Sequence, residues 1–417
     1  MEINKKQESK FYLVLPLLPL MMLTINIAAE DLSARATSKV NANGNAIANP
    51  SAILKNPAIT ETAESAVMRA LRWLSLQQNP DGAWSDSAAS TALAMTAFFA
   101  HNENPDIRLN PEFGATVLRG AKALLETSGT PHSEAKTASA ETDDSLHLLA
   151  SALLEGYDVT MSPVLLEAGF MTAKRLIKSQ NLDGGWTRDA QSSASDNAIY
   201  SAWCVNALAL ARNNAQDRDE SPLIDLALSR AHSFFNNDEQ TSQHLPGVSA
   251  FALCFAGGSW SSGAEYKRSL TNLSGAQCSF KEWETQPWGK EQHPVQHCFF
   301  ITRILSEIGG SQWVEWRNSF APELIMRQQI VEGAYTNSAD GKVHAIGWWD
   351  SPNTNEFAEI QSPEERRIRA TALCAMQITS WRRRRLPTFS APETKPPQND
   401  SADSIQIQVK WETGREE

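Results

Sequence analysis

Two groups of ionisable side chains have the types and spacing for chemistry. The run Glu141-Thr142-Asp143-Asp144-Ser145 places three carboxylates and two hydroxyls just before an apolar segment. Acids and a serine at such a boundary satisfy the dipole and the free N–H groups of a helix start. His147 follows, and Asp196, Tyr200 and Trp203 lie on a later helical segment. His293 and His297 stand four residues apart, so on one helix their imidazoles would converge and hold a metal with Asp143 or Asp196. Pro294 between them favours a turn, and histidines at a helix start more often cap or face solvent. No metal site and no cofactor are assigned. Cys204, Cys254, Cys278, Cys298 and Cys374 are too scattered for a disulfide scaffold and form no CxxC pair.

The elements that must carry these side chains read as helices. Val67, Ala70, Leu71 and Leu74 follow the i, i+3, i+4, i+7 stripe of a core-facing helix. Asn110-Pro111, Ser162-Pro163, Ser221-Pro222 and Ser362-Pro363 each supply a cap followed by proline in the first turn. Such signals predict about twelve helices, near 61–79, 86–101, 111–127, 143–157, 163–180, 195–212, 222–236, 246–257, 260–274, 291–308, 311–329 and 364–385. No segment shows sustained strand alternation. Paired in sequence, the helices make about six hairpins, which can close into a ring with alternate helices inside and outside.

The chain ends differ from this body. Lys5, Lys6 and Lys10 precede an apolar run from Phe11 to Leu23, so residues 1–29 read as a secretory signal peptide or an uncleaved membrane anchor. Residues 30–60 read as a flexible linker, 61–387 as the folded domain and 388–417 as a disordered tail. The body is therefore expected outside the cytoplasm, periplasmic or secreted. Across 417 residues, Lys+Arg 37 against Asp+Glu 48 gives a net charge of −11, which argues against a nucleic-acid partner. The Arg382-Arg383-Arg384-Arg385 run, at the end of the last helix, reads as a macrodipole complement.

The body also repeats. Gln77…Gly82-Ala83-Trp84 has a counterpart in Gln180…Gly184-Gly185-Trp186, with 103 residues from Gln77 to Gln180 and 102 from Trp84 to Trp186. A degenerate third copy is Gln329…Gly333-Ala334-Tyr335, its tyrosine 149 residues after Trp186. Spacings near 100 and 150 fit a unit of about 50 residues, in the range of helical-pair repeats. Gln-x(3–5)-Gly-x-Trp after a helix resembles the QW repeat of squalene-hopene cyclases and the prenyltransferase/squalene-oxidase-repeat superfamily. The resemblance spans roughly residues 60 to 387, and its later segments look like the short extracytoplasmic single-toroid members. It implies an all-α fold, an α/α toroid. Gln77, Gly82, Trp84, Gln180, Gly185, Trp186, Gln329, Gly333 and Tyr335 would be structural clamps between hairpins.

The resemblance also bears on activity. Class II terpene cyclases protonate an isoprenoid double bond with the middle aspartate of an Asp-x-Asp-Asp-Thr motif. Carried over, Asp143 would be the general acid and Asp144 its neighbouring carboxylate, although Glu141 and Ser145 depart from the pattern. His147, Asp196, Tyr200, Trp203 and His297 would face the central cavity. The Asp-x-Cys pair of zinc prenyltransferases and the Gly-Cys-Gly-Glu-Gln thioester motif are both missing. The expected function is binding of an apolar, isoprenoid-like small molecule, a lipid or a partner segment, with peripheral membrane contact. The alternative is a terpene-cyclase-like isomerase.

Overall fold

The helices of this protein are of two kinds, and the difference decides which line the interior. The computed structural model describes residues 63–129, 145–188, 192–215, 218–257, 273, 294–351, 357 and 360–380. All belong to one unit running from Ser51 to Glu417. The expected signal or anchor, the linker, the tail, Arg382–Arg385, Asp143, Asp144, His293 and most of the predicted helix 260–274 lie outside the described residues.

The described residues are mostly helical: α1 Ala63–Gln77, α2 Ala88–Ala100, α3 Gly114–Thr127, α4 Leu146–Thr160, α5 Pro163–Lys178, α6 Ala194–Asn214, α7 Ser221–Asn237, α8 Glu239–His244, α9 Pro246–Gly257, α10 Pro294–Ile308, α11 Gly310–Met326 and α12 Pro363–Thr379. The short α8 was not expected. Proline opens α5 and α12, and Ser362 Oγ accepts from Glu365 N at 3.3 Å. The apolar stripe of α1 is buried as its spacing predicts, with Val67, Ala70, Leu71 and Leu74 at most 2% exposed.

Burial separates an inner from an outer set. Ten of thirteen residues of α2 are buried, against five of seventeen of α7. A helix apolar on all sides belongs inside, and one with a single apolar stripe belongs on the periphery. The inner set is α2, α4, α6, α9, α10 and α12. Each packs on the next in that order, and α12 packs back on α2. Outside, α3, α5, α7 and α11 lie against the inner helices, and α1 lies against α12 and α2. No helix among the described residues is long and apolar enough to cross a membrane.

One element departs from the all-helical expectation. β1 Gln329–Thr336 and β2 Val343–Trp348 form an antiparallel hairpin, with Gln329 opposite Trp348 and Thr336 opposite Val343. A bulge between Val331 and Tyr335, with Gly333 at φ +66°, interrupts the alternation that would have revealed a strand. The hairpin packs on α1, where Trp348 meets Trp73 with ring centroids 6.0 Å apart.

Candidate functional site

Three clamps fasten the outer layer, and they are built alike. In the first, Gln78 Nε2 donates to Gly82 O at 3.0 Å and to Thr116 O of α3 at 2.9 Å, while Arg119 donates to its Oε1 at 2.7 Å. Trp84 is fully buried, with Nε1 donating to Leu74 O at 2.7 Å and its backbone N–H to Thr91 Oγ1 at 2.9 Å. In the second, Gln180 Nε2 donates to Gly184 O and to Ala227 O of α7, both at 2.8 Å. Trp186 donates to Leu176 O at 2.8 Å and to Ser201 Oγ at 2.9 Å. In the third, Gln328 Nε2 donates to Ala66 O of α1 at 2.8 Å, and Arg69 Nε donates to Gln328 Oε1 at 2.9 Å. Trp349 donates to Leu324 O at 2.7 Å and to Thr371 Oγ1 at 3.1 Å.

This geometry shifts the register read from the sequence. The first clamp uses Gln78 and not Gln77, which makes both the glutamine and the tryptophan spacing 102 residues. Gly184, not Gly185, is the partner of Gly82: their φ values are +99° and +94°, and an added Cβ would lie 2.2 Å from Arg230 O and 2.3 Å from Arg119 O. A side chain is excluded on both counts. In the third copy the clamp residues are Gln328, Gly347 and Trp349. Gln329, Gly333 and Tyr335 belong to the hairpin inserted between the clamp's two halves. Tyr335 lies instead where the hairpin meets α1 and the segment before α3, with Arg72 5.9 Å above its ring and its hydroxyl 3.5 Å from Glu112 O. A third Gly-x-Trp was visible at Gly347-Trp348-Trp349, but its glutamine lies 21 residues upstream instead of six.

The chemistry-bearing candidates sit toward the N-terminal ends of the inner helices. His147, the second residue of α4, is 7% exposed and packs edge-on to Tyr200 of α6, with centroids 4.5 Å apart. Its Nδ1 is buried and has no hydrogen-bond partner among the described residues. Burial first, then the positive charges of Arg188 and Arg369, push its pKa down to about 3, so the imidazole is neutral. Arg369 reaches across to α2, donating to Ser90 Oγ and Ser87 Oγ at 3.0 Å each and to Glu365 Oε1 at 2.9 Å. Ser145, expected to cap α4, makes no side-chain cap bond.

One turn along α6 from Tyr200, Trp203 stacks on Phe299 of α10 at 4.8 Å, and its Nε1 donates to Gln296 Oε1 at 2.8 Å. Phe300 continues this aromatic run to Phe251 of α9 at 4.8 Å. The two remaining candidates have local tasks. Asp196 closes a capping box with Ser193 at the start of α6, and His297 Nε2 accepts from Gly247 N at 3.2 Å. Among the described residues no three His, Cys, Asp or Glu side chains are grouped to hold a metal ion. Arg188, Arg369, Gln296 and Phe299 carry no local sequence signal, because their neighbours are hundreds of residues away or on separate helices.

No protein-family model and no curated protein matches this chain.

Proposed function

We propose that this protein is an exported α/α toroid of the QW-repeat type that binds an apolar, isoprenoid-like ligand at the N-terminal ends of its inner helices. The observation that carries the reading is the third clamp. Gln328 repeats the geometry of Gln78 and Gln180, yet its next outer helix is α1, the first of the described chain. A repeat whose last copy fastens to its first is a ring, and a rigid ring is suited to holding a ligand among its inner helices. Tyr200, Trp203 and Phe299 supply the apolar wall.

Export is supported by Cys298, which is disulfide-bonded, as expected in an oxidising compartment. The basic and apolar N-terminal segment agrees with it. Peripheral membrane contact would give such a ligand a source. Asp143, the acid of the cyclase alternative, lies outside the described residues.

The test is organic extraction of the full-length protein purified without detergent, followed by mass spectrometry, with squalene binding followed by tryptophan fluorescence. A near-stoichiometric apolar molecule, or saturable squalene binding weakened by Trp203→Ala, is the expected result. A clean extract together with no saturable response overturns the reading.

A further inference from the structure

We propose that residues 405–411 of this same chain add to the outer edge of β1 as a third strand, fastening a distant segment to the seam where α11 meets α1. The inference is independent of the ligand reading above. The first observation is the edge itself. Among the described residues the sheet has two strands, and α1 packs mainly on β2, which leaves β1 on the outside. Two strands make a marginal sheet, and an edge with unpaired N–H and C=O groups is a template for another strand. Gln329–Thr336 contains neither the proline nor the lysine that commonly blocks an edge, and only the bulge at Gly333 interrupts it.

The second observation is a segment that fits this edge. Ile405, Ile407, Val409 and Trp411 alternate strictly with Gln406, Gln408 and Lys410. Such alternation of β-branched and aromatic residues with polar ones is the signal of a strand with one apolar and one wet face. The expectations of a disordered tail and of no strand alternation pass over it. Asp403-Ser404 before the run and Gly414 after it are turn residues that bound it. Third, β1 has exposed apolar neighbours for that face to cover. Tyr335 of β1 meets Glu112 O at 3.5 Å, and in the loop leading to Glu112 Ile107 is 51% and Leu109 76% exposed.

Reach selects the occupant. Residues 381–404 lie between Ser380, the last described residue, and Ile405, and include Pro387, Pro392, Pro396 and Pro397. Prolines keep this spacer itself out of a ladder. At about 3.1 Å per residue it spans roughly 70 Å, against a diameter of roughly 50 Å for a domain of this size. A strand tethered in this way has an effective concentration of about millimolar, so the chain's own segment outcompetes that of a second copy at micromolar protein.

The experiment is hydrogen–deuterium exchange with mass spectrometry on the full-length protein, its Ile407→Pro variant and a spacer control, Thr394→Pro, with light scattering to fix the oligomeric state. Ile407→Pro removes a ladder N–H without touching the folded body. Amides of 405–411 are expected to exchange about tenfold or more slower than in an isolated peptide of that sequence. Ile407→Pro should return them to the peptide rate and speed exchange in β1 by about tenfold, with the helices and the Thr394→Pro control unchanged. Peptide-like exchange of 405–411 in the wild-type chain overturns the proposal. Protection that Ile407→Pro abolishes with no change in β1 places the strand on another surface and overturns the edge assignment. Protection present only in a dimer, and lost in the monomer on dilution, makes the second copy the occupant and overturns pairing within one chain.

Discussion

Gln328 donates a hydrogen bond to Ala66 O at 2.8 Å across a separation of 262 residues. The same side chain accepts from Arg69, three residues further along α1, at 2.9 Å from Nε and 2.5 Å from Nη2. Thr116 with Arg119 and Ala227 with Arg230 show the same carbonyl-then-arginine spacing in the other clamps. In the second clamp the arginine donates to Asn181 O at 2.6 Å instead, and Gln180 Oε1 has no partner among the described residues.

Gln328→Leu should therefore open the join between α11 and α1. Arg69 is 5% exposed and would lose two of its hydrogen bonds. Bonds to charged groups contribute about 1.5–3 kcal/mol each, so a loss of roughly 3 kcal/mol or more is expected in denaturant unfolding. Gln77→Leu, outside the clamps, should cost roughly 0.5 kcal/mol or less. Equal costs for the two would refute the shifted register.

Trp349→Ala should destabilise as much as Trp84→Ala and Trp186→Ala, by about 3–5 kcal/mol each. All three rings are at most 2% exposed and bond a helix carbonyl through Nε1. Tyr335→Ala, on the half-buried hairpin, should cost clearly less. Thermal melts of the four variants rank them directly, and Tyr335 ranking beside the tryptophans would return the third clamp to the hairpin.

Two histidines should bend the pH dependence of stability in opposite directions. His147 falls from 6.5 to about 3 on folding. Between those values the unfolded chain takes up a proton that the folded chain does not, so stability is lost as pH falls through that window. At about 1.4 kcal/mol per unit the loss is roughly 4–5 kcal/mol by the lower end. His101 is also pulled down by burial, but hydrogen bonds and charge from Glu103 and Glu64 outweigh it and its pKa is raised above 6.5. Its contribution is complete below 6.5 and disappears as pH rises through the raised folded value. Urea midpoints between pH 4 and 9 should flatten on the acid side for His147→Phe and on the alkaline side for His101→Gln.

Alkylation under non-reducing conditions should leave Cys298 unmodified even after denaturation, because it is disulfide-bonded. Cys204, Cys254 and Cys374 are buried thiols and should react only once the protein is unfolded. Burial raises the Cys204 and Cys254 thiols above their usual range, which further slows attack in the folded state. Peptide mapping reads both outcomes, and rapid labelling of Cys298 in the native protein would remove the support for an oxidising compartment.

The sequence by itself determined where the helices run. Apolar period and Ser-Pro starts are local signals, and the ends of α5, α9 and α10 lie within a few residues of the positions these predict. It also located two of the three clamps, though not the right glutamine in the first or the right glycine in the second, because there glutamine, glycine and tryptophan lie within seven consecutive residues and the whole device is local. The third was hidden by chain insertion: β1 and β2 separate Gln328 from Trp349, and the bulge disguises the strands. Only the tertiary structure decided that Gln78 and not Gln77 turns toward α3, since the choice is made by the carbonyl of Thr116 and the guanidinium of Arg119. It likewise decided the surroundings of His147. Tyr200 packs on that imidazole and the charges of Arg188 and Arg369 act on it from other parts of the chain, so its burial and its neutrality arise from packing.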